Sequence, residues 1–491
     1  MSQEIFCPAG HSYNVNKYIN KSTGICDLCI KEHFIQEFGT WSSGSAEVDK
    51  FVQESQKNHQ GHYGNRLQWI PYDNFLGINH LANGGYGSVY SAILKNGIKS
   101  HWNLNKQDWE YSFVDKRVVL KEINDSRHDT SKFLKEVKNL ITMNDLHYIT
   151  KCFGMSKNPS SQNYIIVMKL YHYSLHKFII ISRINRFWNL NWKKYLLNMT
   201  TGLRNLHKKN FIHRDLHSGN ILIISDGGAS ITDLGLCSLE NDQILKSDNK
   251  SNNIYGSIPY IPPEVLQGNA FTKKGDIYSF GGILYEMATR TQPFYDRAHD
   301  TCLIIDICNG IRPKIPDFMN WIPQDYSDLI YKCWSGDPSE RPTAKELCDA
   351  ILNFYWKVVE FDMYFKIDYK SLEQFVFSSE SHPQSCYISR SIHTLHGLHN
   401  SLEDIKSGRI QDPNLLKSNE PTRSSINTYD IDSKESQECI DWEKEIQNKA
   451  VKRPFFDIST LDCNSRESKE CINLDNEDNI TPKKIKKTKQ D

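Results

Sequence analysis

Two acids and an amide fall in one short stretch of this 491-residue chain. Asp215 and Asn220 lie in His213-Arg214-Asp215-Leu216-His217-Ser218-Gly219-Asn220, and Asp233 opens Asp233-Leu234-Gly235. A carboxylate that takes a proton from an alcohol cannot also be held on a metal, so phosphoryl transfer needs acids with separate roles. Between them, Ile221 to Ile224 is apolar, Ser230-Ile231-Thr232 is β-prone and Asp226-Gly227-Gly228 is a turn sequence. The spacing therefore predicts one small hairpin with an acid at each edge.

Elements able to position such a cluster flank it in order. Upstream, Leu81-Ala82-Asn83-Gly84-Gly85-Tyr86-Gly87-Ser88-Val89 is glycine-rich, and missing side chains let backbone amides approach a phosphate. Val118-Val119-Leu120 leads into Lys121, and Phe133, Val137, Leu140 and Ile141 form a helical stripe that carries Glu136. Tyr164 to Met168 is a buried strand. Trp192, Leu196, Met199, Leu203 and Leu206 recur at helical spacing, so a long amphipathic helix delivers the acid loop. A second helix runs from Asp276 through Ile277, Phe280, Leu284 and Met287, with further helices around Tyr326 to Trp334 and Ala344 to Tyr355.

Together these stretches resemble the eukaryotic protein kinases. The acid loop and Asp233-Leu234-Gly235 are similar to H-R-D-L-x-x-x-N and D-F-G, and Val118 to Lys121 is similar to V-A-I-K. Gly256 to Glu264 looks like the segment ending in A-P-E, Asp276 to Gly281 like D-V-W-S-F-G, and Arg341-Pro342-Thr343 like the late R-P-T. The chain departs from the pattern at Ala82 for the first glycine, Leu234 for Phe, Pro262 for Ala and His217 where Ser/Thr enzymes carry Lys. His217 resembles the tyrosine-kinase-like group, and the cysteine-containing start resembles fungal kinases with a short preamble.

The resemblance implies an α+β, two-lobed fold over residues 72–356, with a small β-rich lobe above a mainly helical one. It implies Asp215 as proton acceptor, Asn220 and Asp233 as Mg2+ ligands, and Lys121 on the ATP phosphates with Glu136 as its partner. Leu81, Gly84, Gly85, Gly87 and Val89 would cover the nucleotide, with Met168 and Leu170 against adenine. Glu264 and Arg341 would form a buried ion pair, and Asp276 would hold the acid loop's backbone. Ser257 stands where Ser/Thr kinases place a Thr whose hydroxyl meets the catalytic aspartate, so Ser/Thr specificity is expected; dual or tyrosine specificity stays open. A kinase-shaped scaffold that recruits partners without turnover is the alternative. Arg214, in kinases that carry it, commonly meets a phosphate on the activation segment, here at Ser247, Ser251 or Tyr255; Glu240 or Asp242 is the competing partner.

Residues 1–60 differ in character. Cys7, His11, Cys26 and Cys29 have the spacing of a tetrahedral zinc site, with His33 as a spare ligand. An insertion over residues 96–116 carries Trp102, Trp109, Tyr111 and Phe113, expected to pack on the small lobe. Residues 360–491 are polar and expected to be largely disordered. Pro482 to Lys489 is a basic cluster with the composition of a nuclear localisation signal or of a loose phosphate-binding arm.

The 59 basic and 59 acidic residues balance, so no whole-protein attraction to nucleic acid or membrane is expected. No apolar run approaches the roughly 20 residues that span a bilayer. With no basic-then-apolar start, an intracellular, cytoplasmic setting is expected, and the 13 cysteines are read as reduced thiols. Protein substrates and ATP are the expected partners.

Overall fold

The computed structural model describes residues 7, 9–11, 25–58, 66–84, 87–182, 192–223, 228–240, 242, 250–320, 322–360, 371, 374–375 and 380–415. Its first elements are α1 (Asp27–Gln36) and α2 (Ala46–Asn58), then β1 (Gln68–Trp69), β2 (Phe75–Gly84), β3 (Gly87–Leu94), β4 (Ile98–Asn103), β5 (Asp108–Ser112) and β6 (Lys116–Ile123). There follow α3 (Ser131–Thr142), β7 (Cys152–Lys157) and β8 (Tyr164–Lys169). A six-stranded sheet runs in the order β1-β7-β8-β6-β3-β2, antiparallel except for the β1–β7 pair. In β6, Val118 and Leu120 are buried on one face while Lys121 pairs with Val89 of β3 and Ile166 of β8. The alternation sends the lysine to the opposite face from the apolar pair.

The large lobe begins with β9 (Tyr173–Ser174), α4 (Leu175–Ser182), α5 (Trp192–Lys208) and β10 (Phe211–Ile212). β11 (Ile221–Ile223) and β12 (Ala229–Ile231) form the hairpin predicted from the acid spacing, with Ile221 opposite Ile231. β13 (Ser238–Leu239) and β14 (Asn253–Gly256) precede α6 (Pro263–Leu266), α7 (Lys273–Thr289), α8 (Thr301–Cys308), α9 (Gln324–Cys333) and α10 (Ala344–Glu360). Leu196, Met199, Leu203 and Leu206 of α5 are fully buried in one core with Ile277, Phe280 and Leu284 of α7. Burying each such side chain is worth about 1.5–3 kcal/mol, which fixes the helix that ends at the acid loop. No helix among the described residues is long and apolar enough to cross a membrane.

Two expectations need correction. The insertion forms a β4–β5 hairpin that divides between sheet and head: Ile98 joins the sheet core and Phe113 lies against Phe153 of β7 with centroids 4.5 Å apart, while Trp109 is buried with Ile30 and Phe34 of α1. Its indole Nε1 donates to Glu37 Oε1 at 2.6 Å, and Lys99 pairs with the same carboxylate. The head in turn does not stand apart. Val48 and Val52 of α2 enter the core that holds Phe133 and Val137 of α3, and Gln56 Nε2 donates to Leu67 O at 2.8 Å.

The polar tail also divides. Residues 380–415 fold onto the large lobe through β15 (Arg390–His393), antiparallel to β14, and α11 (Leu402–Lys406). Ile392, Thr394 and Asn414 are fully buried there. Composition missed this because backbone pairing and side-chain hydrogen bonds, rather than an apolar stripe, fasten most of the segment. Residues 416–491, with the basic cluster at 482–489, lie outside the described residues.

Candidate active site

The acid loop is held from below by Asp276, a buried residue of the first turn of α7. Its Oδ2 accepts from His213 N and pairs with His207 Nε2, both at 2.8 Å, and its Oδ1 accepts from Arg214 N at 2.9 Å. These bonds turn the backbone at Arg214 to φ +74°, a costly conformation that a buried carboxylate with several donors can hold. Asn220 Nδ2 donates to Asp215 O at 2.9 Å and closes the loop. On the other side of the hairpin, His213 Nε2 meets Thr232 O at 2.9 Å, so Asp233 is fixed relative to Asp215.

Lys121 joins the lobes. Its Nζ lies 2.8 Å from Glu136 Oε1 of α3 and 2.8 Å from Asp233 Oδ1. Burial opposes the ammonium charge, yet the carboxylates of Asp233 and Glu136 outweigh it and push the lysine pKa up. For Asp233 burial acts upward but Lys121 overrides it, so this acid keeps its charge, while burial raises Glu136. A Cβ at Gly235 would stand 3.1 Å from Glu136 Oε2, so the glycine lets the Asp233 turn close on α3. Leu234 is fully buried, and Asn139 Nδ2 of α3 donates to Leu234 O and Cys237 O.

Leu81 and Val89 lie on β2 and β3, whose tip pairs Gly84 with Gly87. A Cβ on Gly87 would fall 2.0 Å from Glu122 O, so only glycine fits this register. Gly85 lies outside the described residues. Met168 is buried at the end of β8, with Leu170 just beyond it.

One residue departs from its expected place. Ser257 makes no hydrogen bond to Asp215; its buried Oγ has no hydrogen-bond partner among the described residues. The hydroxyl on Asp215 Oδ1 is instead that of Ser389, at 2.7 Å, a residue no sequence signal singled out. Arg214 lies over the Phe271 ring, 5.3 Å from its centroid, and donates to Leu236 O at 3.4 Å, while Glu240 pairs with Lys273. Ser247 lies outside the described residues. The sequence also did not announce Glu286, a buried acid of α7 that accepts from Tyr260 Oη at 2.9 Å and meets His176 Nδ1 at 2.6 Å.

His217 sits beside the acid loop with Nδ1 accepting from Gly219 N at 3.1 Å, which in a neutral ring leaves the proton on Nε2, 4.0 Å from Asp215 Oδ2. Burial lowers its pKa, with Asp215 opposing the shift. The folded state therefore resists protonation where the unfolded chain, with an ordinary value near about 6.5, accepts it. Stability linked to His217 is complete above that value and is lost as pH falls below it. Urea midpoints at pH 7.5 and 5.5 should fall less in His217→Asn than in the parent; an equal fall would show that His217 is not responsible.

A second cluster forms at the head. Cys7 Sγ, Cys26 Sγ and Cys29 Sγ lie 3.4, 3.5 and 3.3 Å from His11 Nδ1, and the Cys7 and Cys29 sulfurs are 3.8 Å apart. The four donor atoms lie within 4.8 Å of one another. A tetrahedral zinc with bonds of about 2.3 Å to sulfur has edges of about 3.8 Å, so the donor set fits the ion. His11 Nε2 meets Glu32 Oε1 at 3.1 Å, the outer carboxylate that orients a ligating imidazole. His33 is not part of the cluster; it stacks on Trp102 with centroids 3.5 Å apart.

The chain is 31% identical over 272 residues to a dual specificity protein kinase, shkE, of Dictyostelium discoideum, covering 54% of this chain and 34% of that protein. It is 30% identical over 277 residues to a putative serine/threonine-protein kinase/receptor of Acanthamoeba polyphaga mimivirus, covering 56% and 16%. A probable LIM domain-containing serine/threonine-protein kinase of Dictyostelium discoideum is 34% identical over 154 residues, 31% of this chain and 15% of the relative. The match thus spans about a third or less of each relative's length, and none of the three is fungal. Residues 77–351, more than half the chain and containing every part of the Lys121, Asp215 and Asp233 site, match one family along their whole length: the chain belongs to the protein tyrosine and serine/threonine kinases.

Proposed function

We propose that this chain is an active, ATP-dependent protein kinase directed to serine and threonine hydroxyls. The observation that carries the reading is Lys121 Nζ, 2.8 Å from both Glu136 and Asp233, because that arrangement readies a fixed positive charge for the ATP phosphates. Asp233 and Asn220 offer the hard oxygen donors that suit Mg2+, which when bound neutralises charge on the phosphates. Leu81, Gly84, Gly85, Gly87 and Val89 cover the nucleotide, and Met168 with Leu170 flanks the adenine. Asp215 accepts the hydroxyl proton as the acceptor oxygen attacks. The names of the relatives support Ser/Thr specificity, with dual specificity represented among them. So does Ser389: just before the strand paired to β14, a side chain of serine length reaches Asp215. The scaffold alternative loses ground because Lys121, Asp215, Asn220 and Asp233 are all present and assembled. The reading places the protein inside the cell, where ATP is available. Incubation with radiolabelled ATP and Mg2+ should yield phosphoserine and phosphothreonine on added protein; background-level incorporation, equal to that of an Asp215→Asn chain, would sink it.

For the head, the reading is one structural Zn2+ held by Cys7, His11, Cys26 and Cys29. All four positions are protein ligands, so the site lacks the open position that catalysis needs. Without a cation, burial and the nearby Cys26 thiol push the Cys29 thiol pKa up. Elemental analysis of the full chain purified without chelator should give one zinc per molecule, and Cys29→Ser should cut this by at least half; well under one equivalent in the parent rejects the site.

A further inference from the structure

The stretch from Gln384 to Leu398 crosses the large lobe where an acceptor must lie to meet Asp215. Its centre is β15, which pairs Arg390 with Gly256, Ser391 with Tyr255, Ile392 with Ile254 and His393 with Asn253. Addition of a strand to an exposed edge is a general way to hold a peptide, with backbone bonds giving affinity and alternate side chains giving register. Here the register is pinned on both sides of Ser389. Before it, Gln384 O accepts from His299 N at 3.1 Å, and the Tyr387 ring stands edge-on to His299 with its hydroxyl donating to Pro293 O at 3.0 Å. After it, Arg390 Nη2 donates to His299 O at 3.1 Å, Ile392 is fully buried, and Thr394 N and Leu395 N donate to Asn252 O and Leu266 O, both at 2.9 Å. Asp412 secures the far end by accepting from Thr301 N and Oγ1 at 2.7 and 2.6 Å.

Between these anchors Ser389 Oγ donates to Asp215 Oδ1 at 2.7 Å, within the reach a general base needs for the proton it removes. We propose that Ser389 is a phosphorylation site of this protein, filled by its own active site within the same molecule. The proposal rests on the kinase reading above and names its first substrate. In the step, Ser389 Oγ forms a bond to the γ-phosphorus of ATP, the bond from that phosphorus to the bridging oxygen breaks, and ADP leaves. The hydroxyl proton passes to the Asp215 carboxylate and then to water. Until then the tail covers the place of any other acceptor. Afterwards phosphoserine carries a charge of about −1.5 to −2 beside Asp215 and Asp233, and the Ser389–Asp215 hydrogen bond no longer exists. Like charge at this distance expels the segment and opens the site to other proteins.

The test uses the full chain with ATP and Mg2+, phosphopeptide mapping, and myelin basic protein as the added acceptor. Phosphate should appear at position 389 at a rate per molecule that does not change on dilution. Ser389→Thr should move the label at that position to phosphothreonine, and Ser389→Ala should lose it. Transfer to myelin basic protein should accelerate by at least about tenfold as position 389 fills, and should stay at its initial rate in Ser389→Ala. Transfer to myelin basic protein that reaches its full, accelerated rate while position 389 is unmodified would overturn the proposal and leave the kinase reading intact. A labelling rate at 389 that rises with protein concentration would overturn the intramolecular assignment. Absence of phosphate from both acceptors would overturn the kinase reading and the proposal with it.

Discussion

Asp215→Asn is expected to lower phosphate transfer by about 10²- to 10⁴-fold while leaving nucleotide affinity unchanged, the range lost when a positioned general base is removed. Asparagine keeps the volume and an oxygen able to accept from a hydroxyl, so the acid loop, held by Asp276 through the amides of His213 and Arg214, keeps its shape. What disappears is the capacity to take the proton. The nucleotide side of the site is untouched, because the ion pairs of Lys121 run to Glu136 and Asp233 and not to Asp215. Single-turnover rates together with calorimetric titration of ATP separate the two quantities. A loss of less than tenfold would remove Asp215 from the role, and an equal loss of ATP affinity would mean that the loop had moved.

The largest stability effect is expected at Arg341. Its side chain is fully buried, with Nη1 and Nη2 at 2.7 and 2.8 Å from the two oxygens of Glu264. Nε donates to Ser335 O at 2.9 Å, Nη1 also donates to Lys274 O at 3.1 Å, and the guanidinium lies over the Tyr278 ring. Arg341→Ala strands a carboxylate and two carbonyls in the interior of the large lobe. Breaking a buried pair from one side costs about 3–5 kcal/mol, because the remaining charge has lost its partner. At about 2–4 °C per kcal/mol for a domain of this size, the melting temperature should fall by roughly 10 °C. Removing both charges with Glu264→Leu and Arg341→Leu should cost less than Arg341→Ala alone. Calorimetry on the three chains checks the order, and a double variant less stable than the single one would contradict this account.

The sequence by itself determined the parts of the site that chemistry fixes locally. Asp215, Asn220 and Asp233 sit at the ends of a hairpin that β-prone residues and a turn specify, and Glu136 rides a helix whose apolar stripe must face inward. Such patterns are legible because a period of two or 3.6 residues reports which side of an element is buried, whatever lies against it. Tertiary structure decided what lies against it. The insertion's tryptophans could have packed on the sheet, but α1 offers Ile30, Phe34 and the Glu37 carboxylate as a better-matched surface. Two serines had hydroxyls of equal chemistry, yet Ser257 Oγ makes no hydrogen bond among the described residues and Ser389, 174 residues from Asp215 in the chain, takes the place. Composition marked residues 380–415 as solvated because few of their side chains are apolar. They fold nonetheless, since β14 presents backbone donors and acceptors whose bonds to β15 depend on register and shape and leave no periodic trace in the sequence.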